Sequence, residues 1–141
     1  MEYLIVGIAS YLMGSIPFGL ILTKIFLKKD IRDVGSGNIG ATNVLRTGNK
    51  VIGYLTLISD IAKAIIPVIY VKLNFPELIY IASLCAFLGH VFPIWLKFKG
   101  GKGVATYIGI LFSINIFLGI VFVISWGIVF LIFKYSSLSS I

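Results

Sequence analysis

The apolar residues of this chain come in long unbroken runs, not in the alternation of a half-buried strand or the spaced stripe of a surface helix. A helix needs ~20 apolar residues to cross the hydrocarbon core of a bilayer. Four stretches qualify, at residues 3–27, 51–71, 78–95 and 104–133. Lipid offers backbone groups no partner, so spanning segments close their hydrogen bonds internally as helices. A membrane β-barrel would require apolar and polar residues to alternate, and they do not. The pattern predicts an all-α integral membrane protein folded as one domain over residues 1–141.

The fourth stretch is too long for one upright span. At ~1.5 Å per residue, a helix over 104–133 would reach ~45 Å. One strongly tilted helix would give four spans in all. A hairpin turning at Ser113-Ile114-Asn115 would give five, with a short helix near 104–112 before a full span. Asn is a good turn former and a poor mid-membrane residue, so the hairpin is the expectation. The stretch from Tyr3 to Leu22 lacks a basic leader and a small-residue cleavage site, and it reads as a retained first span.

Composition sharpens this picture. The 141 residues are 59% hydrophobic and 12% charged, about half the charged share of a soluble domain. The net charge is +7, from 12 Lys and Arg against 5 Asp and Glu. The basic residues sit in short loops between apolar runs, which argues against nucleic-acid binding and for retention at the inner leaflet. Loops near 28–50 and 96–103 carry most of them, so both are expected in the cytoplasm, with the N-terminus outside. Lys134 falls on the cytoplasmic side in the hairpin reading. The single Cys85 forms no internal disulfide.

The first loop contains Gly35-Ser36-Gly37-Asn38-Ile39-Gly40-Ala41-Thr42-Asn43, followed by Arg46. Glycines let backbone N–H groups close around an anion. Ser36, Asn38, Thr42 and Asn43 add side-chain donors, and Arg46 adds a planar fork suited to phosphate. If 38–46 is helical, Thr42 and Arg46 share a face. Gly35 to Gly40 matches the dinucleotide pattern G-x-G-x-x-G, but that motif needs a preceding strand. The phosphate-loop pattern of nucleotide hydrolases fails because Ala41 stands where its lysine belongs. A plain flexible connector would not need so many donors.

The second loop reads Gly100-Gly101-Lys102-Gly103 just before an apolar helix. Glycine backbone, an ammonium and a helix start make a compact anion site. Lys97 and Lys99 are expected to reach toward lipid headgroups. A positive anchor alone would need charge but no flanking glycines. His90 reads as a packing or hydrogen-bonding residue, without the neighbours for a metal site. An H-x-x-x-x-D acyltransferase box fails because residue 95 is Trp95. Asp60 and Lys63, inside the second span, are expected to pair; a share for Lys63 in a phosphate pocket is the lesser reading. Pro17 and Pro67 are expected to kink their helices.

These residues resemble the PlsY family, the bacterial membrane glycerol-3-phosphate acyltransferases that use acyl-phosphate as donor. The likeness runs through Gly14-Ser15-Ile16-Pro17-Phe18-Gly19, the 35–43 motif with Arg46, Asp60 and Lys63, Gly89-His90 with Phe92-Pro93, 100–106 and the tail 134–141. It implies transfer of a fatty acyl group from acyl-phosphate to the 1-hydroxyl of glycerol-3-phosphate, giving lysophosphatidate in the first step of phospholipid synthesis, at a bacterial inner membrane. It implies Ser36, Arg46 and Lys102 as catalytic residues. Gly37, Asn38, Thr42, Asn43, Gly100, Gly101, Gly103 and Ser137 would bind substrate and phosphate. No metal or other cofactor is implied. The family also has a third motif with a His and an Asn followed by an Arg, which 1–141 does not contain. The resemblance therefore leaves three readings open, a truncated protein, a split one with a separate chain supplying that motif, or a complete divergent member. The alternative reading is a small membrane transporter or binding protein for an organic phosphate.

Overall fold

The computed structural model describes residues 1–133, and among them every regular element is helical. Seven α-helices follow in order: α1 Glu2–Gly14, α2 Phe18–Leu22, α3 Ala41–Leu45, α4 Lys50–Asn74, α5 Ile79–Val91, α6 Val104–Ile114 and α7 Ile116–Phe133. A π-helical turn, Thr23–Leu27, extends α2. Four helical segments are long and apolar enough to cross a membrane: Glu2–Leu27, Lys50–Asn74, Pro76–Leu96 and Ile116–Phe133. The shorter α6 makes a fifth apolar helix. The chain is thus a multi-pass helical membrane protein, as its apolar runs require.

Pro17 divides the first span. It lacks an N–H and caps α2, and at the break the Ile16 carbonyl accepts a 2.7 Å hydrogen bond from the Lys63 ammonium. Pro67, by contrast, lies inside an α4 that continues unbroken to Asn74.

The expected hairpin forms. Asn115 takes an extended conformation, φ −153° and ψ 127°, and separates α6 from α7. Its side-chain oxygen accepts from the Phe117 N–H at 2.8 Å, opening α7. The Lys72 ammonium donates to the Ser113 and Ile114 carbonyls at 2.7 and 3.0 Å. Those are terminal carbonyls a helix leaves without partners. The end of α4 therefore fastens the end of α6, and the two helices run in parallel.

Between lipid-facing helices, small residues let backbones approach and dispersion do the holding. Helices α1 and α5 meet this way. A Cβ on Gly14 would overlap the Ala86 backbone, and one on Gly89 would overlap the Tyr11 carbonyl. Gly109 brings α6 against the Ile61 carbonyl of α4. Helix α7 is outermost, with only Gly119 buried, and leans on α6 through Tyr107 and Phe122, whose rings meet edge to face at 5.1 Å.

Candidate functional site

Asn43 organises the first basic loop. Its amide nitrogen donates to the Ile31, Val34 and Asn38 carbonyls at 3.1, 2.9 and 2.8 Å. Its carbonyl oxygen accepts from the Ser36 N–H at 3.0 Å. The side chain is 2% exposed. Gly35 and Gly37 supply the left-handed conformations the turn needs, φ +54° and +70°. A Cβ on Gly35 would crowd both Asn43 and Arg46, so the arginine lies against the glycine turn. The helix expected over 38–46 is shorter than the spacing suggested: α3 begins only after Gly40, because Asn38 forms a turn of its own with the Gly40 N–H at 2.9 Å.

Two arginines in this loop have different surroundings. Arg32 is committed to Asp30, with bonds of 2.9 and 2.6 Å, and Lys24 approaches the same carboxylate at 3.2 Å. The Arg32 hydrogen bonds hold the Asp30 carboxyl well below the usual carboxylate range. Among the described residues, Arg46 and Lys102 enter no ion pair.

The second basic loop is seated on the end of α5. The Gly100 and Gly101 N–H groups donate to the Val91 and His90 carbonyls at 3.0 and 3.1 Å. Gly103, at φ +82°, caps α6 and presses against the Phe87 ring. Lys102 stands exposed between these two buried glycines.

Both loops open onto one cavity of about 600 Å³. Ser36, Asn38, Thr42, Asn43 and Arg46 line it from the first loop, Lys102 and Gly103 from the second. Gly37, Gly100 and Gly101 shape the loops without lining the cavity. Ser137 lies outside the described residues. The remaining wall is largely apolar, formed by Leu57, Val104, Ala105, Ile108, Val123, Trp126 and Phe130. Val104 and Ala105 belong to the 100–106 stretch, while Leu57, Ile108, Val123, Trp126 and Phe130 carry no signal in the sequence, where they read as ordinary lipid-spanning residues.

Asp60 and His90 also line the cavity. Asp60 pairs with Lys63 at 2.8 Å, both side chains being almost wholly buried, as their spacing predicted. Lys63 points away, to the Ile16 carbonyl, and does not line the cavity. His90 is 3% exposed, with Nδ1 3.8 Å from Asp60 Oδ1, too far for a hydrogen bond. Among the described residues that nitrogen has no partner, and neither does Trp126 Nε1.

Fold and site together define a multi-pass membrane protein that gathers anion donors at one end of its bundle, beside an apolar cavity wall. Residues 4–141 match the glycerol-3-phosphate acyltransferase family, and the chain belongs to it. A glycerol-3-phosphate acyltransferase of Pelagibacter ubique (strain HTCC1062) is 79% identical over 141 residues, covering 100% of this chain and 74% of the relative. One from Bartonella henselae is 51% identical over 142 residues, covering 97% of this chain and 67% of the relative. The crystal structure of PlsY, an integral membrane glycerol 3-phosphate acyltransferase, in its glycerol 3-phosphate form superposes with a TM-score of 0.92 at 38% identity. That match takes in 99% of this chain and 71% of the other. The lysophosphatidic acid form gives 0.90 at 37% identity.

Proposed function

We propose that this glycerol-3-phosphate acyltransferase takes its acyl group from an acyl-phosphate and delivers it to the 1-hydroxyl of glycerol-3-phosphate, releasing lysophosphatidate and phosphate. One observation carries the reading: Arg46 and Lys102, far apart in sequence, line a single cavity whose remaining wall is largely apolar. Such a cavity suits two phosphorylated substrates at its cationic end and a fatty chain along its apolar wall. Family membership and the glycerol 3-phosphate form of PlsY support it. Nothing in the family or its relatives favours the transporter alternative.

Phosphate is already a good leaving group, so no covalent enzyme intermediate is needed. The 1-hydroxyl oxygen attacks the acyl carbonyl carbon. The bond from that carbon to the phosphate oxygen breaks, and the electron pair leaves with phosphate. A phosphate oxygen of the bound substrates accepts the hydroxyl proton. The protein's work is to bring two anions together and to stabilise charge as it gathers on the leaving group. Proximity of this kind contributes ~7–11 kcal/mol. Ser36, Arg46 and Lys102 are assigned to the charge and Asn38 and Thr42 to orientation, while the glycine N–H groups of Gly37, Gly100 and Gly101 are spent inside the loops they shape. Both loops, rich in Lys and Arg, face the cytoplasm of a bacterial cell membrane by the positive-inside rule.

The test is reconstitution in proteoliposomes with labelled glycerol-3-phosphate. Acyl-phosphate is expected to yield lysophosphatidate. Counterflow of unmodified glycerol-3-phosphate without product would establish the transporter instead.

A further inference from the structure

His90 bears on the second loop in two ways. Its backbone carbonyl accepts the Gly101 N–H at 3.1 Å. Its ring lies so close to the Gly101 Cα that a Cβ there would overlap Nε2 and come within 2.9 Å of Cε1. One turn earlier on the same face of α5, Phe87 meets Gly103 in the same manner. The two glycines flanking Lys102 are thus both pressed onto one helix face. That leaves the lysine between them no room on the α5 side, and it lines the cavity instead.

We propose that His90 is a positioning residue for Lys102: its ring is the surface against which Gly101 is seated, and this contact sets where the ammonium meets the substrate phosphate. The inference rests on the reading that Lys102 binds that phosphate. Among the described residues, Nδ1 of the His90 ring has no hydrogen-bond partner. The ring is buried, with Nδ1 3.8 Å from Oδ1 of the buried Asp60. A side chain at position 101 moves the loop or the ring. A displacement of ~1 Å at a reacting group costs about a hundredfold in rate.

The experiment is a two-residue cycle in proteoliposomes, with KM for glycerol-3-phosphate and kcat measured for Gly101→Ala, His90→Asn and the pair. Asparagine removes the two ring atoms nearest Gly101 and keeps a polar group near Asp60. Gly101→Ala alone is expected to lose about a hundredfold in kcat/KM. His90→Asn alone is expected to lower kcat/KM, but by less than Gly101→Ala does, and adding it to Gly101→Ala is expected to raise kcat/KM to the His90→Asn level, because the obstacle is gone; parent-like kcat/KM in His90→Asn alone would overturn the positioning role. If Gly101→Ala yields no folded protein, recovery of folded protein in the pair supports the proposal, and no recovery overturns it. Losses that multiply, or a harmless Gly101→Ala, also overturn it. Lys102→Ala is run alongside. If it lowers kcat/KM while the cycle shows no rescue, the seating role alone fails; if it leaves kcat/KM unchanged, the phosphate reading fails with it.

Discussion

The side-chain oxygen of Asn43 accepts the backbone N–H of Ser36 at 3.0 Å, while its nitrogen holds three carbonyls of the same loop. Asn43 is therefore the internal brace of the first basic loop, and its amide hydrogens are spent within that loop. With two amide hydrogens shared among three carbonyls and one accepted N–H, at about 1 kcal/mol net per hydrogen bond, Asn43→Ala should destabilise the loop by ~2–3 kcal/mol. Asn43→Asp should be at least as harmful, since a carboxylate would face three carbonyl oxygens. Thermal unfolding in detergent and acyl-transfer rate, measured on both variants, check this.

The α1–α5 contact predicts a difference between two chemically identical changes. Gly89→Ala places a methyl group on the Tyr11 carbonyl and should cost ~1–3 kcal/mol of stability by overpacking. Gly127→Ala meets nothing within 4 Å and should be neutral or slightly stabilising. The measurement is the temperature at which each variant loses its folded form in the same detergent.

Asp60 and Lys63 are buried together at 2.8 Å. Removing one partner leaves the other uncompensated, which costs ~3–5 kcal/mol. Asp60→Leu or Lys63→Met alone should therefore destabilise strongly, while the two together should destabilise less than their sum. Unfolding of all three variants decides the point, and additive losses would show that the pair is not coupled.

The Arg32 bonds keep the Asp30 carboxyl ionised below its ordinary 3.8. A carboxyl with a depressed folded-state pKa stabilises above its unfolded pKa, and that contribution is lost as pH falls further. Arg32 is half exposed, so solvent screening keeps the effect small. Acidifying from pH 6 to below pH 4 should lower the unfolding temperature more in the parent than in Asp30→Asn. Equal slopes would remove Asp30 from the account.

The residues that carry the fold's outline were legible in the sequence because lipid imposes length and continuity on them. The runs gave their helices, and Asn115 in a stretch too long for one span marked the turn. The cationic members of the site, Arg46 and Lys102, stood out because glycine and charge are costly choices beside a membrane. What stayed hidden depends on three-dimensional approach. Asn43 looked like one more donor, and only its distances show it turned inward. The apolar cavity wall, Trp126 and Phe130 included, is indistinguishable in sequence from lipid-facing surface. His90 read as a packing residue, and it is one, but its contact with Gly101 depends on how a loop folds back on α5.

In the proposed function, Arg46 and Lys102 reach one phosphoryl group from two separate basic loops. Initial rates of acyl transfer to glycerol-3-phosphate in proteoliposomes, compared among the parent, Arg46→Ala, Lys102→Ala and the double variant, test it most directly. Each single change should cost about 10²–10³-fold, and the double should cost little more than either, as groups acting as one unit do. Parent-like rates in either single variant would contradict the account.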